Sequence, residues 1–352
     1  MSVHGRRSLV LARYLTLVWF GLIVYASLHP FSGWRDTGIH WGAFLEAAWP
    51  RYWTAFDLIA NIAVYLPLGF FLTLVLAPLR WRWLAVCLAI LLGSGLSLGL
   101  ETLQNWLPSR IPSSLDLACN AFGSFLGAIL GHLLGPRVFS RLESAAHRLL
   151  SPIPHGELGL TLLGLWLIVP LSPEILLFGA GDMRQLIGFT PAIPFSIDHF
   201  ALIEASITAA HAVATGLLLR ALLASAGIAY LIVPLFFIVA LLIRTLGAAI
   251  LISPENAMAW YTVGAQQGLL AAGALLGLML WLPARIALLF AVLSLVAGTV
   301  LVNLAPANPY SAAALAVWQQ GHFLNFNGLT RLIASLWPFL ALPFFWLAVR
   351  RP

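Results

Sequence analysis

Long apolar runs separated by short polar stretches recur along almost the whole chain. Each run is close to the ~20 residues that an α-helix needs to cross the hydrocarbon core of a bilayer. The pattern therefore predicts an all-α fold, a polytopic transmembrane helical bundle of about ten helices. The predicted spans are 9–28, 57–77, 83–103, 116–134, 158–178, 199–222, 228–250, 262–282, 284–303 and 332–349.

The composition agrees with burial in lipid. Of the 352 residues, 61% are hydrophobic and only 9% are charged, whereas charged residues make up about a quarter of a soluble domain. A chain with so few charges cannot cover a surface that faces water. The first run follows Arg6, Arg7 and Arg13 and is long for the apolar region of a signal peptide, so we expect it to be retained as a helix.

The charge distribution predicts a topology. All 18 basic residues are arginines, and the formal net charge is +6. The arginines are scattered singly or in pairs rather than gathered in stripes, so we predict no nucleic-acid binding. With the N-terminus inside, twelve of the 18 fall on cytoplasmic segments, which predicts that both termini are cytoplasmic. The absence of lysine excludes a Walker-type nucleotide site, and we predict neither a metal nor a cofactor.

The order of the spans suggests three regions. Residues 1–135 are predicted to form a four-helix membrane domain. Residues 136–157 are predicted to form a cytoplasmic amphipathic linker, with a hinge at Pro152 and Pro154. Residues 158–352 are predicted to form a C-terminal membrane domain of about six helices.

Glycines spaced four apart in the fourth span indicate close helix packing rather than a site. They are Gly123, Gly127, Gly131 and Gly135, and small residues at this spacing let transmembrane helices approach closely. The same role is predicted for the third-span glycines, which are Gly93, Gly95 and Gly99. A loosely similar spacing recurs at Gly264, Gly268, Gly273 and Gly277. The similarity is weak, so a duplication of the two halves stays open.

Polar residues within the spans are the strongest functional signal, because ionisable groups inside a membrane are costly. Three acid–amide pairs have spacings of three or four, which place each pair on one helix face. The predicted topology brings all of them, with one arginine, to the same depth in the outer leaflet. We therefore predict a ligand-binding site at Asp57, Asn61, Glu101, Gln104, Arg110, Asp116 and Asn120, with no metal.

A structural role is the alternative for this set. Asp57 and Asp116 begin predicted helices, where an acid caps free amides and suits the helix dipole. The amides can serve as hydrogen-bonded contacts between helices. Glu101 argues against a purely structural role, because it lies near a helix C-terminus where the dipole disfavours an anion.

The same residues carry a resemblance to the VanZ-like family of membrane proteins. The matching motifs cover roughly residues 9–135 and keep the same order and spacing. They are Asp57-Leu-Ile-Ala-Asn61, Tyr65-Leu-Pro67-Leu-Gly69-Phe70, Glu101-Thr-Leu-Gln104, Arg110 and Ser114-Leu-Asp116-Leu-Ala-Cys-Asn120-Ala-Phe-Gly123. The resemblance implies a multi-pass protein of the bacterial cytoplasmic (inner) membrane with a role at the cell envelope, and low-level resistance to teicoplanin-type glycopeptides.

Three hypotheses follow. In the first, the site binds a polar lipid headgroup, a lipid-linked cell-wall precursor or a glycopeptide, and Arg110 pairs with a phosphate or carboxylate. In the second, the protein is a membrane enzyme acting on a lipid-linked substrate, with Glu101 as general acid or base and Asp116 as its partner. In the third, it is an ion-coupled secondary transporter driven by protonation of Asp57 or Glu101. The sequence leaves the ligand, any reaction and the oligomeric state open.

Overall fold

The computed structural model confirms an all-helical membrane fold. It describes residues 3–50, 52–79, 81–172, 175–188, 190–251, 253–309 and 324–349, and these ranges contain no strand. Eight of the described helices are long and apolar enough to cross a membrane, and two shorter apolar helices accompany them. The chain divides into two compact units, Met1–Ala145 and Ala146–Pro352.

The first unit is built on four long helices and one short one. They are α1 (Val3–Leu28), α2 (Ala43–Glu46), α3 (Ala55–Leu76), α4 (Arg82–Gln104) and α5 (Ser114–Leu149). Ile23 and Leu28 of α1 pack with Tyr65 and Leu68 of α3 and with Leu100 of α4. The fourth span was predicted to end at residue 134, but α5 continues without a break through most of the predicted linker.

Glycines let α3 and α5 cross with their backbones in contact. A methyl group at Gly131 would lie 2.9 Å from the main-chain oxygen of Phe70. Methyl groups at Gly123 and Gly127 would overlap the main-chain oxygens of Ile62 and Leu66, respectively. Main-chain atoms cannot move aside as a flexible side chain can, so these positions admit only glycine. The packing role predicted for the glycine repeat of the fourth span is confirmed. It is wrong for Gly95 and Gly99 of α4, where an added methyl group would meet no atom within 4 Å.

The second unit is arranged around one buried helix. Its helices are α6 (Gly156–Trp166), α7 (Arg184–Ile187), α8 (Ile197–Leu222), α9 (Ala226–Leu251), α10 (Val263–Met279), α11 (Ala284–Leu304) and α12 (Leu324–Val349). α8 packs against both α10 and α11. Within its apolar span 78% of the residues are buried, compared with 17% for α9, so α8 is the central helix of this unit.

The predicted fifth span, 158–178, is not one helix. α6 ends at Trp166, a 3-10 turn covers Val169–Leu171, and the described residues of the connection to α7, 172 and 175–183, are not helical. Pro170 lacks the N–H that a continuing helix would need. Leu177 and Phe178 of the connection are buried, so the main-chain groups around them need partners inside the protein.

Arg244 of α9 supplies several of those partners. Its Nη1 donates to the carbonyls of Pro170, at 3.1 Å, and Ser172, and its Nη2 donates to the carbonyl of Ile175 at 3.2 Å. Arg244 is only 8% exposed. One buried guanidinium therefore satisfies three carbonyls that the interrupted helix leaves without intrahelical donors.

Replacing Gly127 with alanine should destabilise the first unit, because the added methyl group meets the main chain of Leu66. Overpacking of this kind costs about 1–3 kcal/mol, so we expect a lower midpoint of thermal unfolding for the purified chain in detergent. The matched control is Gly99→Ala in α4, where an added methyl group meets no atom within 4 Å. An equal midpoint for the two variants would contradict the close α3–α5 crossing.

Replacing Arg244 with leucine should destabilise the second unit by at least about 2 kcal/mol, since it leaves buried carbonyls without donors. Arg285→Leu, at an exposed position on α11, removes the same charge without removing a buried donor. Urea or heat unfolding of both variants in the same detergent would measure the difference. A loss for Arg244→Leu no larger than that for Arg285→Leu would show that the connection does not depend on this side chain.

Candidate functional site

The seven residues predicted to bind a ligand form the acid–amide cluster. This cluster lies where α4 ends and where α3 and α5 begin. Asn61 of α3 donates from Nδ2 to Oδ1 of Asp116 on α5 at 2.9 Å. The charge of Asp57 also acts on Asp116. Two of the three predicted acid–amide pairs therefore interact across the α3–α5 crossing that the glycines permit.

Ser113 connects Glu101 to Asp116. Its main-chain N–H donates to Oε2 of Glu101 at 2.8 Å. Its hydroxyl accepts a hydrogen bond from the main-chain N–H of Asp116 at 3.3 Å, as an N-cap residue does. Glu101, at the end of α4, is thus placed at the start of α5, where the helix dipole favours an anion. This contact supplies the partner that the position of Glu101 in α4 requires.

Arg110 does not neutralise an acid by direct contact. Its Nη2 donates to the carbonyl of Ala26 at 2.7 Å and its Nε to the carbonyl of His29 at 3.2 Å, at the C-terminal end of α1. Burial lowers the pKa of the Arg110 guanidinium from its ordinary value, and the charge of Glu101 acts in the opposite direction. Within the described residues Arg110 forms no ion pair within 4 Å, and its Nη1 has no hydrogen-bond acceptor.

Gln104 also donates a hydrogen bond to a carbonyl at the end of α1. Its Nε2 donates to the carbonyl of Ser27 at 3.1 Å. Together Gln104 and Arg110 satisfy carbonyls in and just beyond the last turn of α1, which have no intrahelical donor. Pro30 follows directly and provides no N–H. Both side chains therefore tie α1 to the segment that carries the cluster.

Asp57 has a capping role as well. Its Oδ2 accepts hydrogen bonds from the main-chain N–H and the hydroxyl of Thr54, at 3.1 and 2.7 Å. Its own N–H donates to the Thr54 hydroxyl at 3.1 Å, which completes a capping box at the start of α3. The structural alternative thus applies to Asp57, although its Oδ1 keeps no hydrogen bond among the described residues.

Asn120 is the member of the cluster that lies buried between α4 and α5. It is 5% exposed, and its Nδ2 donates to the hydroxyl of Ser97 at 2.9 Å. The Ser97 hydroxyl also interacts with that of Tyr65. The Oδ1 of Asn120 is buried and has no partner in the described structure. A buried acceptor without a partner is normally satisfied by water or by a ligand.

Sequence reasoning did not assign a site role to three of these contributors, Tyr65, Ser97 and Ser113. Spacing could have identified two of them, because Tyr65 is four residues after Asn61 and Ser97 is four before Glu101. Ser113 directly precedes α5, which is the usual position of an N-cap serine. Its contact with Glu101 is set by the fold of the loop that follows α4.

The charge balance of the cluster is negative. Three carboxylates and one guanidinium give a formal charge of −2 if all are ionised. One oxygen of each acid, namely Oδ1 of Asp57, Oε1 of Glu101 and Oδ2 of Asp116, forms no hydrogen bond within the described residues. With the orphaned oxygen of Asn120, the cluster is richer in free acceptors than in free donors. No group of three His, Cys, Asp or Glu side chains in the described part of the chain is placed to hold a metal.

Comparison with known families identifies the segment that carries this geometry. A family model described as VanZ/LLP1 matches residues 12–135. The VanZ/LLP1 match contains all seven residues of the cluster, and it confirms the resemblance seen in the sequence. The remainder of the chain matches no family. No curated protein and no solved structure matches the chain.

The Asn61–Asp116 bond can be tested by a double-mutant cycle. Asn61→Ala and Asp116→Ala should couple by about 0.5–3 kcal/mol in the free energy of unfolding, as residues in contact do. A pair made of Asn61→Ala and Glu46→Ala, which is exposed on α2, should add within about 0.5 kcal/mol. Additive behaviour of Asn61 with Asp116 would contradict the contact between α3 and α5.

Proposed function

We propose that the VanZ/LLP1-matching unit binds the polar headgroup of a membrane lipid or of a lipid-linked cell-wall precursor at the acid–amide cluster. The observation that carries this proposal is the surplus of acceptor oxygens. Asp57, Glu101 and Asp116 each keep one oxygen without a hydrogen bond in the described structure, and the buried Oδ1 of Asn120 has no partner. Capping and helix packing alone do not need these atoms, so a ligand with donors is their natural complement.

The chemistry of the cluster selects among headgroups. An acceptor-rich site with a formal charge of −2 fits a headgroup that presents hydroxyl or ammonium donors. The free Nη1 of Arg110 is available to the phosphate of the same headgroup, as a charge-assisted hydrogen bond. Because Ala26 and His29 already hold Nη2 and Nε of Arg110, that cation is fixed in place before a ligand arrives.

The enzyme and transporter hypotheses draw on the same acids. An enzyme would use Glu101, whose Oε2 is held by Ser113, and would need Oε1 to reach a reacting group. A transporter would need protonation of Asp57 or Glu101 to change the fold around them. Headgroup binding requires only the observed arrangement of donors and acceptors, so we rank it first. A link to teicoplanin-type glycopeptides rests on the family resemblance alone.

The proposal predicts selective stabilisation by lipids. The purified full chain in detergent should gain thermal stability from phosphatidylglycerol, phosphatidylethanolamine or a polyprenyl-diphosphate-linked sugar. It should gain less from phosphatidic acid, whose headgroup lacks hydroxyl and ammonium donors beyond the phosphate. In Glu101→Gln and Asp116→Asn the apparent Kd for the preferred lipid should rise about 10–100-fold, since a hydrogen bond to a charged group contributes about 1.5–3 kcal/mol.

Glu46→Gln is the matched control, because it removes one exposed carboxylate of the same unit and should leave lipid affinity unchanged. Asp116→Asn keeps an oxygen that can accept from Asn61, so its fold should be retained. Equal stabilisation by all four lipids, or unchanged affinity in both cluster variants, would refute the proposal. Mass spectrometry of the recovered lipids would reveal a chemical change if the enzyme hypothesis is correct instead.

A further inference from the structure

The central helix of the second unit carries a stripe of buried polar residues. Glu204, Thr208, His211 and Thr215 are spaced four, three and four apart, which places them on one face of α8. Glu204 is 2% exposed and the other three are 0% exposed. Ionisable side chains inside a membrane span are rare and commonly mark ion or proton pathways. Nothing in the acid–amide cluster of the first unit uses them.

Glu204 lies against the start of α10. Its Oε1 accepts a hydrogen bond from the hydroxyl of Thr262 at 2.6 Å. Its Oε2 has no hydrogen-bond partner among the described residues. The absence of a side chain at Gly264 leaves room for this oxygen, since a methyl group there would overlap it. One turn further along α8, the Thr208 hydroxyl donates to the carbonyl of Leu177 in the α6–α7 connection at 3.1 Å.

His211, near the middle of α8, has partners for two protonation states. Its Nδ1 lies 3.0 Å from the carbonyl of Ile207, and its Nε2 lies 3.0 Å from the carbonyl of Ala180. The main-chain N–H of Ala180 points to the same Nε2 at 3.3 Å. An imidazolium can donate to both carbonyls, whereas a neutral ring can donate from Nδ1 and accept at Nε2. The ring can therefore gain and lose a proton without moving.

The two ends of the stripe have unsatisfied oxygens. Oε2 of Glu204 and Oγ1 of Thr215 are buried and have no hydrogen-bond partner in the described structure. They are eleven residues apart, which is about 16 Å along a helix. Buried polar atoms of this kind are normally bonded to internal water. Successive members of the stripe are three or four residues apart, which is about 4.5–6 Å along the helix, so single water molecules can bridge their polar atoms.

Three arginines around the stripe are already held by hydrogen bonds of their own. Arg220 of α8 donates to the carbonyl of Leu280, Arg244 donates to the carbonyls described above, and Arg184 pairs with Asp182. Several described elements pack against α8 or form hydrogen bonds to it. Their charged and titratable groups are Glu157 of α6, Asp182 of the α6–α7 connection, Arg184 of α7, Tyr230 and Arg244 of α9, and Arg285 of α11. α10 carries none, so Glu204 faces no arginine across its contact with that helix.

We propose that this stripe is a proton pathway through the second unit. A proton binds the Glu204 carboxylate and neutralises it, then passes through water to Nε2 of His211, while the Thr208 hydroxyl stays bonded to the carbonyl of Leu177. The imidazolium then loses this Nε2 proton to water on the Thr215 side. Nδ1 keeps its hydrogen throughout, so the ring returns to the neutral form in which it began, and one proton enters as one leaves. No bond between heavy atoms changes. The pathway is independent of headgroup binding in the first unit and would stand if that proposal failed.

Proton flux into liposomes tests the pathway. The full chain is reconstituted with a pH-sensitive dye inside, and a valinomycin-mediated potassium diffusion potential drives protons. We expect the dye to respond faster than in protein-free liposomes, and the added rate to fall at least tenfold in Glu204→Gln and in His211→Gln. Glu46→Gln and His40→Gln, at exposed positions of the first unit, should retain the wild-type rate.

Thr215→Val keeps the test decisive if the other variants fold poorly. The Thr215 hydroxyl has no protein partner, so valine of nearly the same shape should preserve the unfolding midpoint while lowering the flux. A wild-type rate no greater than that of protein-free liposomes would overturn the proposal. So would wild-type flux in folded Glu204→Gln and Thr215→Val.

Discussion

The whole structure depends on one constraint, which is that polar groups in a membrane must find their partners inside the protein. A helix forms hydrogen bonds to most of its own main-chain N–H and carbonyl groups, but the groups at its ends and at interruptions have no partner within the helix. In this chain a few long polar side chains do that work. Arg110 and Gln104 bind the carbonyls at the end of α1, and Arg244 binds the carbonyls where α6 stops.

The same constraint explains why the acid–amide cluster combines support and binding. Asp57 caps α3, and Glu101 accepts from the N-terminus of α5, so each acid has a structural contact. Each acid also keeps a second oxygen without a partner in the described residues. A carboxylate can hold a helix terminus with one oxygen and present the other to a ligand, so the structural and functional interpretations need not compete.

The second unit applies the constraint to an interrupted helix. The buried connection after α6 exposes carbonyls that Thr208 and His211 of α8 reach. Irregular backbone within membrane proteins is tolerated where protein or a water-filled cavity covers it. A polar stripe that satisfies such backbone and also leaves Glu204 partly unbonded is suited to bind and pass protons, which simple packing would not require.

The helical membrane fold, the close packing at the fourth-span glycines and the resemblance of residues 12–135 to a known family could be predicted from the sequence, because apolar length, spacing and motif order are local properties. The sequence also predicted a ligand-binding site at seven polar residues of the first unit. The contacts of these residues could not be predicted, because they depend on segments that are distant in the sequence. Arg110 turns to the carbonyls of α1 instead of an acid, and Glu101 gains the N-terminus of α5. The structure also shows that the predicted span 158–178 is interrupted. Arg244 satisfies the carbonyls freed at this interruption, and it lies 69 to 74 residues away along the chain. Hydropathy measures how well a segment tolerates lipid, but the partner of each polar group depends on which distant segment the fold brings beside it.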